Sequence, residues 1–296
     1  MNPVRILLMV VVPLLAACHS LPPLPSWQGP EGLEHADLNR ILDLREGQQL
    51  TPRQLLAELA AAERILVGER HDNPDHHALQ LWLLQALAQQ REQGSLLLEM
   101  LDPVQQPRVE AVKASIAKGD WPEDLPAELG WQKGWDWSLY GPLVKYALAQ
   151  PYPLLQANLD RDEISAIYRQ RPEVAGPPAA AEVQQALFEQ IRRSHCDMLP
   201  EAQLPAMLAV QQQRDRRMAE RLQTAPTPAM LLAGVFHVRR DVGVPLHLNS
   251  GGDRERTRVL VLAEVGERVE AAQADFVWFT PKQPEKDYCA ALRHRD

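Results

Sequence analysis

The sequence predicts an α/β fold: a mostly parallel central sheet flanked by helices, with an inserted helical subdomain over about 160–224. Three observations predict it. Short apolar runs that read as buried strands alternate with helical segments. Helix-start pairs, Thr51-Pro52, Asn73-Pro74 and Asp102-Pro103, stand before several of those segments. Three helical segments then follow one another without a strand, which marks an insertion rather than another βα unit.

The first segment stands outside the fold. Residues 1–17 carry Arg5, an apolar run from Ile6 to Leu15 and then small residues, the pattern of a secretory signal and too short to span a bilayer. Leu15-Ala16-Ala17-Cys18 fits a lipobox, so Cys18 is expected to be acylated and to become the mature N-terminus. No Asp follows Cys18, which favours the outer membrane of a bacterial envelope over inner-membrane retention. Residues 18–32 are rich in proline and predict an extended tether, leaving 33–296 as the globular domain. That length suits one large α/β domain. Nothing after the leader is apolar enough to cross a membrane, so the lipid alone would hold the protein there.

The formal net charge is −8, and more negative once Arg5 leaves with the leader, which argues against a nucleic-acid partner. With Cys18 lipidated, Cys196 and Cys289 remain. In an oxidising compartment such a pair is expected to form a disulfide, here tying the C-terminus to a distant helix. No CxxC spacing supports a metal site.

The elements follow in order. A helix from Thr51 to about Glu63 precedes a strand at Ile65–Gly68. A helix from Asn73 to about Gln93 is stopped by Gly94, and Ser95–Met100 is the next strand. A helix from Asp102 to Lys118 leads into GDWPEDLPAELGWQKGWDWSLY, which holds Trp121, Trp131, Trp135 and Trp137. A helix over 141–150 and a strand at 153–157 come next. The inserted helices span 160–170, 179–196 and 200–223. Strands at 229–234, 257–265 and 275–280 complete the pattern.

The candidate site lies where strands end. Gly68-Glu69-Arg70-His71 and Gly234-Val235-Phe236-His237 are two G-x-x-H motifs at strand ends, and Glu99 closes SLLLEM. In a parallel sheet these ends share one edge, where open α/β sheets bind ligands. Glu69, His71, Glu99 and His237 are therefore expected to converge as metal ligands or as acid–base groups acting on a carbonyl. His76 and His77, in the first turn of a helix, are weaker candidates, expected to be solvated or bonded locally.

Several segments carry a resemblance: VGERHDNPDHH, LLLEM, YGPLVKYA, LLQANLDR, RRSHCDMLPE, QQQRDRRMA, LLAGVFHVRRDVGVPLHL and DYC. From about Leu33 onward the chain resembles the ChaN-type haem-binding lipoproteins of the Tiki-like superfamily, which also includes erythromycin esterases and membrane-linked metalloproteases. The resemblance implies binding of haem (iron-protoporphyrin IX) taken up for its iron, with a tyrosine on the iron and a histidine nearby. It also implies a homodimer enclosing two haems face to face, and it supports the Cys196–Cys289 pairing. Tyr140 is the expected ligand, Tyr146 the alternative, and His195 the partner histidine. A phenolate suits ferric iron, and the tryptophan-rich segment is a candidate lid. Arg239 and Arg240 are expected to meet the propionates in preference to Arg214, Arg216 and Arg217. Without C-x-x-C-H, covalent attachment is excluded. An outer-membrane haem receptor is a candidate partner. The other reading is a hydrolase working through Glu69, His71, Glu99 and His237.

Overall fold

The computed structural model describes residues 21–248, 251–287 and 289–290. The leader and Cys18 lie outside the described residues. The chain opens with β1 (Ile41–Asp43), β2 (Gln48–Leu50), α1 (Pro52–Ala60), β3 (Arg64–Glu69), α2 (Pro74–Leu87) and β4 (Ser95–Leu98). It continues through α3 (Gln106–Ile116), α4 (Leu125–Leu129), α5 (Trp137–Ala149) and β5 (Leu154–Gln156). The inserted helices are α6 (Arg161–Gln170), α7 (Ala181–Ser194) and α8 (Leu204–Thr224). The last elements are β6 (Ala229–Gly234), α9 (Val235–Val238), α10 (Gly251–Glu255), β7 (Thr257–Glu264) and β8 (Phe276–Thr280).

The sheet has eight strands in the order β2-β1-β8-β7-β3-β6-β4-β5. The six from β8 to β5 are parallel, and the β1–β2 hairpin adds an antiparallel edge against β8. The parallel strands are buried on both faces, which explains their continuous apolar runs. One face packs against α1, α2, α3 and α5 through Leu55, Leu79, Val109 and Val144. The other receives Met218, Leu222 and Val238 from α8 and α9. The inserted helices keep a small core of their own, with Val183, Leu187 and Ile191 of α7 against Leu204 and Leu208 of α8.

Three boundaries differ from the sequence expectation for identifiable reasons. Residues 21–32 are laid against the domain rather than left as a tether. Leu21 and Trp27 pack on the main core, Trp82 donates its indole N–H to the Pro22 carbonyl at 2.9 Å, and Gln28 and Gly29 donate their backbone N–H groups to Asp75 at 2.7 and 2.8 Å. A Cβ on Gly29 would lie 2.9 Å from that carboxylate, so glycine alone lets the chain approach. Second, α5 begins at Trp137 instead of Gly141, because Asp136 caps it through the Ser138 N–H at 2.9 Å and Pro142 is accommodated inside. Third, α3 starts at Gln106, since Asp102 and Gln105 first close a reciprocal side-chain turn. The Cys196–Cys289 disulfide is present, with Cα atoms 5.8 Å apart. It closes a 93-residue separation, which loop entropy values at about 4–5 kcal/mol.

Candidate functional site

The two G-x-x-H motifs make room for each other. β3 and β6 are adjacent, with Gly68 opposite Ala233 and Glu69 opposite Gly234. A Cβ on Gly68 would come within 2.4 Å of Val238 and 3.1 Å of Val235 Cα, so that glycine admits the second motif's turn. A Cβ on Gly234 would come within 2.9 Å of His71 Cε1 and Nε2, so this glycine admits the first motif's imidazole.

The four predicted strand-end residues converge as two hydrogen-bonded groups. In the first, Glu69 Oε1 meets His71 Nδ1 at 2.7 Å and accepts from the Tyr140 hydroxyl at 2.9 Å. In the second, Glu99 takes the Gly234 N–H at 2.7 Å and lies 3.3 Å from His237 Nε2. His237 Nδ1 then reaches Asp215 of α8 at 2.5 Å. Asp215 is a site residue that the sequence reading passed over inside a basic run. Glu69, Glu99 and Asp215 are buried, whereas the His71 side chain is 43% exposed. His71 and His237 line a cleft of about 470 Å³ with Phe236 and, from α7, Gln190 and Ser194.

Charge sets the protonation states. Burial alone would lower His71, but the hydrogen bond and charge of Glu69, with Glu99, lift it to about 9. Burial likewise opposes charge on His237, yet Glu99 and Asp215 raise it to about 10. Glu99 sits far below the usual carboxylate range, because His237, His71 and the Gly234 N–H outweigh its burial. Burial raises Asp215 to about 6, with His237 pulling the other way. Near neutral pH the floor of the site therefore holds two imidazoliums facing carboxylates. It can donate protons or hydrogen bonds to an acceptor placed at His71.

Metal ligation by these four residues does not match the geometry. Both His237 nitrogens are engaged by carboxylates. Among the described residues no group of three or more His, Cys, Asp or Glu is placed to hold a metal ion. His76 and His77 are buried and locally bonded. His76 accepts from the Arg70 N–H at 3.0 Å and meets Thr280 at 3.1 Å; burial, with the charges of His77 and Arg70, keeps it neutral. His77 bonds the His71 carbonyl at 3.0 Å and stacks edge-on against Tyr140.

Tyr140 lies in the floor of the site. It is 1% exposed, donates to Glu69, and is pushed far above its ordinary pKa by burial and then by that carboxylate. It is a buried phenol behind His71, hydrogen-bonded to Glu69. Trp131 and Trp135 close over it, their ring centroids each 6.0 Å away, and Trp135 also meets His71 edge-on at 4.9 Å. Trp121 stands apart, exposed. His195 caps α7 with Nδ1 bonded to the Ile191 carbonyl at 2.8 Å, and no contact joins it to Tyr140 among the described residues. Arg239 is paired to Asp241 at 2.9 and 2.5 Å, and Arg240 to Asp275 at 2.6 Å, so neither is a free anion receptor.

A larger groove of about 1110 Å³ opens on the other side of Trp135. Its walls include Trp131, Trp135, Ile164 and Val104, the last 67% exposed. On α6, Arg161, Ile164 and Ser165 face it, while Glu163, Ala166 and Ile167 turn toward α8. Tyr168 lies four residues beyond Ile164 and three beyond Ser165, on the same face of α6 and one turn past the residues that line the groove. Of the tyrosines among the described residues, Tyr140 and Tyr152 are buried and Tyr146 packs on the main core, while Tyr168 is half-buried on a helix that fully buries nothing.

Residues 55–248 match the family described as haem-binding uptake, Tiki superfamily, ChaN. Among solved structures, the chain is 30% identical to ChaN of Campylobacter jejuni, whose structure is described as cofacial haem binding. The match has a TM-score of 0.72 and covers 81% of this chain and 95% of that one. A mutant of the erythromycin esterase EreC in its open conformation matches at 12% identity and a TM-score of 0.45, over 86% of each chain. No curated protein matches the chain.

Proposed function

Because this chain belongs to the haem-binding uptake family of the Tiki superfamily, ChaN, we propose that it binds haem in the groove walled by Trp131 and Trp135. The groove itself is the observation that carries this reading. Its aromatic and aliphatic wall suits a macrocycle, and Tyr168, one turn past that lining on the same face of α6, would supply a phenol for ferric iron. The groove is open to solvent, so a macrocycle held against Trp131 and Trp135 would leave its far face for another partner to cover. A second copy of the chain, each contributing a haem, would cover that face, by analogy with the cofacial arrangement described for the Campylobacter jejuni protein. The lipobox at Cys18 supports an anchored protein of the bacterial envelope serving iron acquisition, with an outer-membrane haem receptor as the delivering partner. Labelling with a palmitate analogue, lost in Cys18→Ala, tests the anchor.

Hemin titration of the full chain in detergent tests the main reading. The expected result is a saturable spectrum of tyrosinate-ligated ferric haem with a shift to dimer mass at one haem per chain. A linear, non-saturating absorbance change would overturn it.

One observation favours a second reading. His71, charged near neutral pH and backed by Glu69, lines the smaller cleft, the place of a general acid without metal. Hydrolase activity abolished by His71→Ala, with hemin binding intact, would establish it.

A further inference from the structure

We infer that Arg214 is the carboxylate receptor of the groove, holding an acid group of the flat ligand that lies against Trp131 and Trp135; this rests on the haem reading of the same groove.

Of the arginines that the sequence offers for an acid group, Arg214, Arg216, Arg217, Arg239 and Arg240, four are committed. Arg216 pairs with Glu220 at 3.5 Å, Arg217 with Glu163 at 2.6 Å, Arg239 with Asp241, and Arg240 with Asp275. Arg214 lines the groove, and no hydrogen bond or ion pair reaches its guanidinium among the described residues. Its Nε is out of contact with solvent and has no acceptor. A half-buried guanidinium is partly stripped of water, and a carboxylate in the groove would meet the terminal N–H groups rather than the shielded Nε.

Four neighbouring carboxylates are already used, and Asp162, also in the groove lining, is exposed to solvent and makes no ion pair with Arg214 among the described residues. Asp160 caps α6 through the Glu163 N–H at 2.8 Å. Asp102 takes the Gln132 amide at 2.6 Å. Glu163 holds Arg217, and Asp215 holds His237. The rim cations Lys133 and Arg161 are exposed and solvated, so they lose little by remaining unpaired. Arg214 is half-buried beside the aromatic wall, where a fork of two N–H groups can both position and select a carboxylate. A ligand with a planar apolar body and a peripheral acid satisfies both features of the groove together.

The test compares hemin with hemin dimethyl ester, whose carboxylates are blocked, on the full chain. Wild type should bind hemin roughly tenfold more tightly than the ester. Arg214→Gln should bring hemin down to the affinity of the ester and leave the ester unchanged. Arg214→Lys should restore part of the difference, since it keeps the charge and loses the fork. Hemin affinity unchanged in Arg214→Gln, or hemin and ester weakened equally, would overturn the assignment while leaving haem binding in place. Failure of wild type to bind either compound would overturn the haem reading and this inference with it. An unchanged thermal midpoint of Arg214→Gln confirms that the comparison concerns binding and not folding.

Discussion

The site edge has two sides that differ in how far their polar groups are satisfied. On the floor under His71, Glu69, Glu99, His237, Asp215 and Tyr140 hold one another. Across Trp135, Arg214 has no acceptor among the described residues, and Tyr168 stands half-buried on α6. The floor is dense in acid–base groups, yet most of that chemistry is spent internally. The groove has fewer charged side chains but leaves some of them uncommitted. Density of functional groups in a sequence therefore locates a site edge, while lack of internal partners locates the ligand.

The largest effect should come from breaking the floor. Asp215→Ala leaves His237 charged and buried beside Glu99 alone, and should cost about 3–5 kcal/mol in urea unfolding. Arg214→Gln, one residue away but facing the groove, should stay within about 0.5 kcal/mol of wild type. Similar losses for the two would erase the distinction between the sides. Next is Gly68→Ala, whose Cβ would meet Val238 at 2.4 Å; it should destabilise by about 1–3 kcal/mol. Gly134→Ala, in the groove loop with no atom within 4 Å, should be close to neutral by the same measurement. Tyr140→Phe removes one of the hydrogen bonds to Glu69 and should cost about 1 kcal/mol by thermal unfolding.

A gentler probe is pH. His71 and His237 are raised in the folded state, so their contribution is fully present below about 6.5 and is lost as pH rises through about 9 and 10. The thermal midpoint should fall across that window, and His237→Gln should flatten the slope. A wild-type midpoint that is level from pH 6.5 to 10 would show that the imidazoles are not held charged.

Much of this was legible in the residues. β3, β4 and β6 read as continuous apolar runs because both of their faces are covered, and the paired glycine motifs placed Glu69, His71, Glu99 and His237 on one edge. The β1–β2 hairpin escaped because its three-residue strands carry no alternation. The proline-rich start read as a tether because composition does not reveal that Asp75 and Trp82 bind its backbone. Asp215 left a signal that went unread. It lies three residues from Met218 and seven from Leu208 and Leu222, on the apolar stripe of α8, where an aspartate demands a buried partner. The burial of Tyr140 was not legible either, because its sequence context names a ligand type but not a direction. Asp136 starts the helix early and turns the phenol inward.

The most direct test of the account is the visible spectrum of the hemin complex in Tyr168→Phe beside Tyr140→Phe. The account predicts that Tyr168→Phe loses the tyrosinate-ligated bands while Tyr140→Phe keeps them. Loss of those bands in Tyr140→Phe alone would contradict it, returning the iron to the floor of the site and away from the groove.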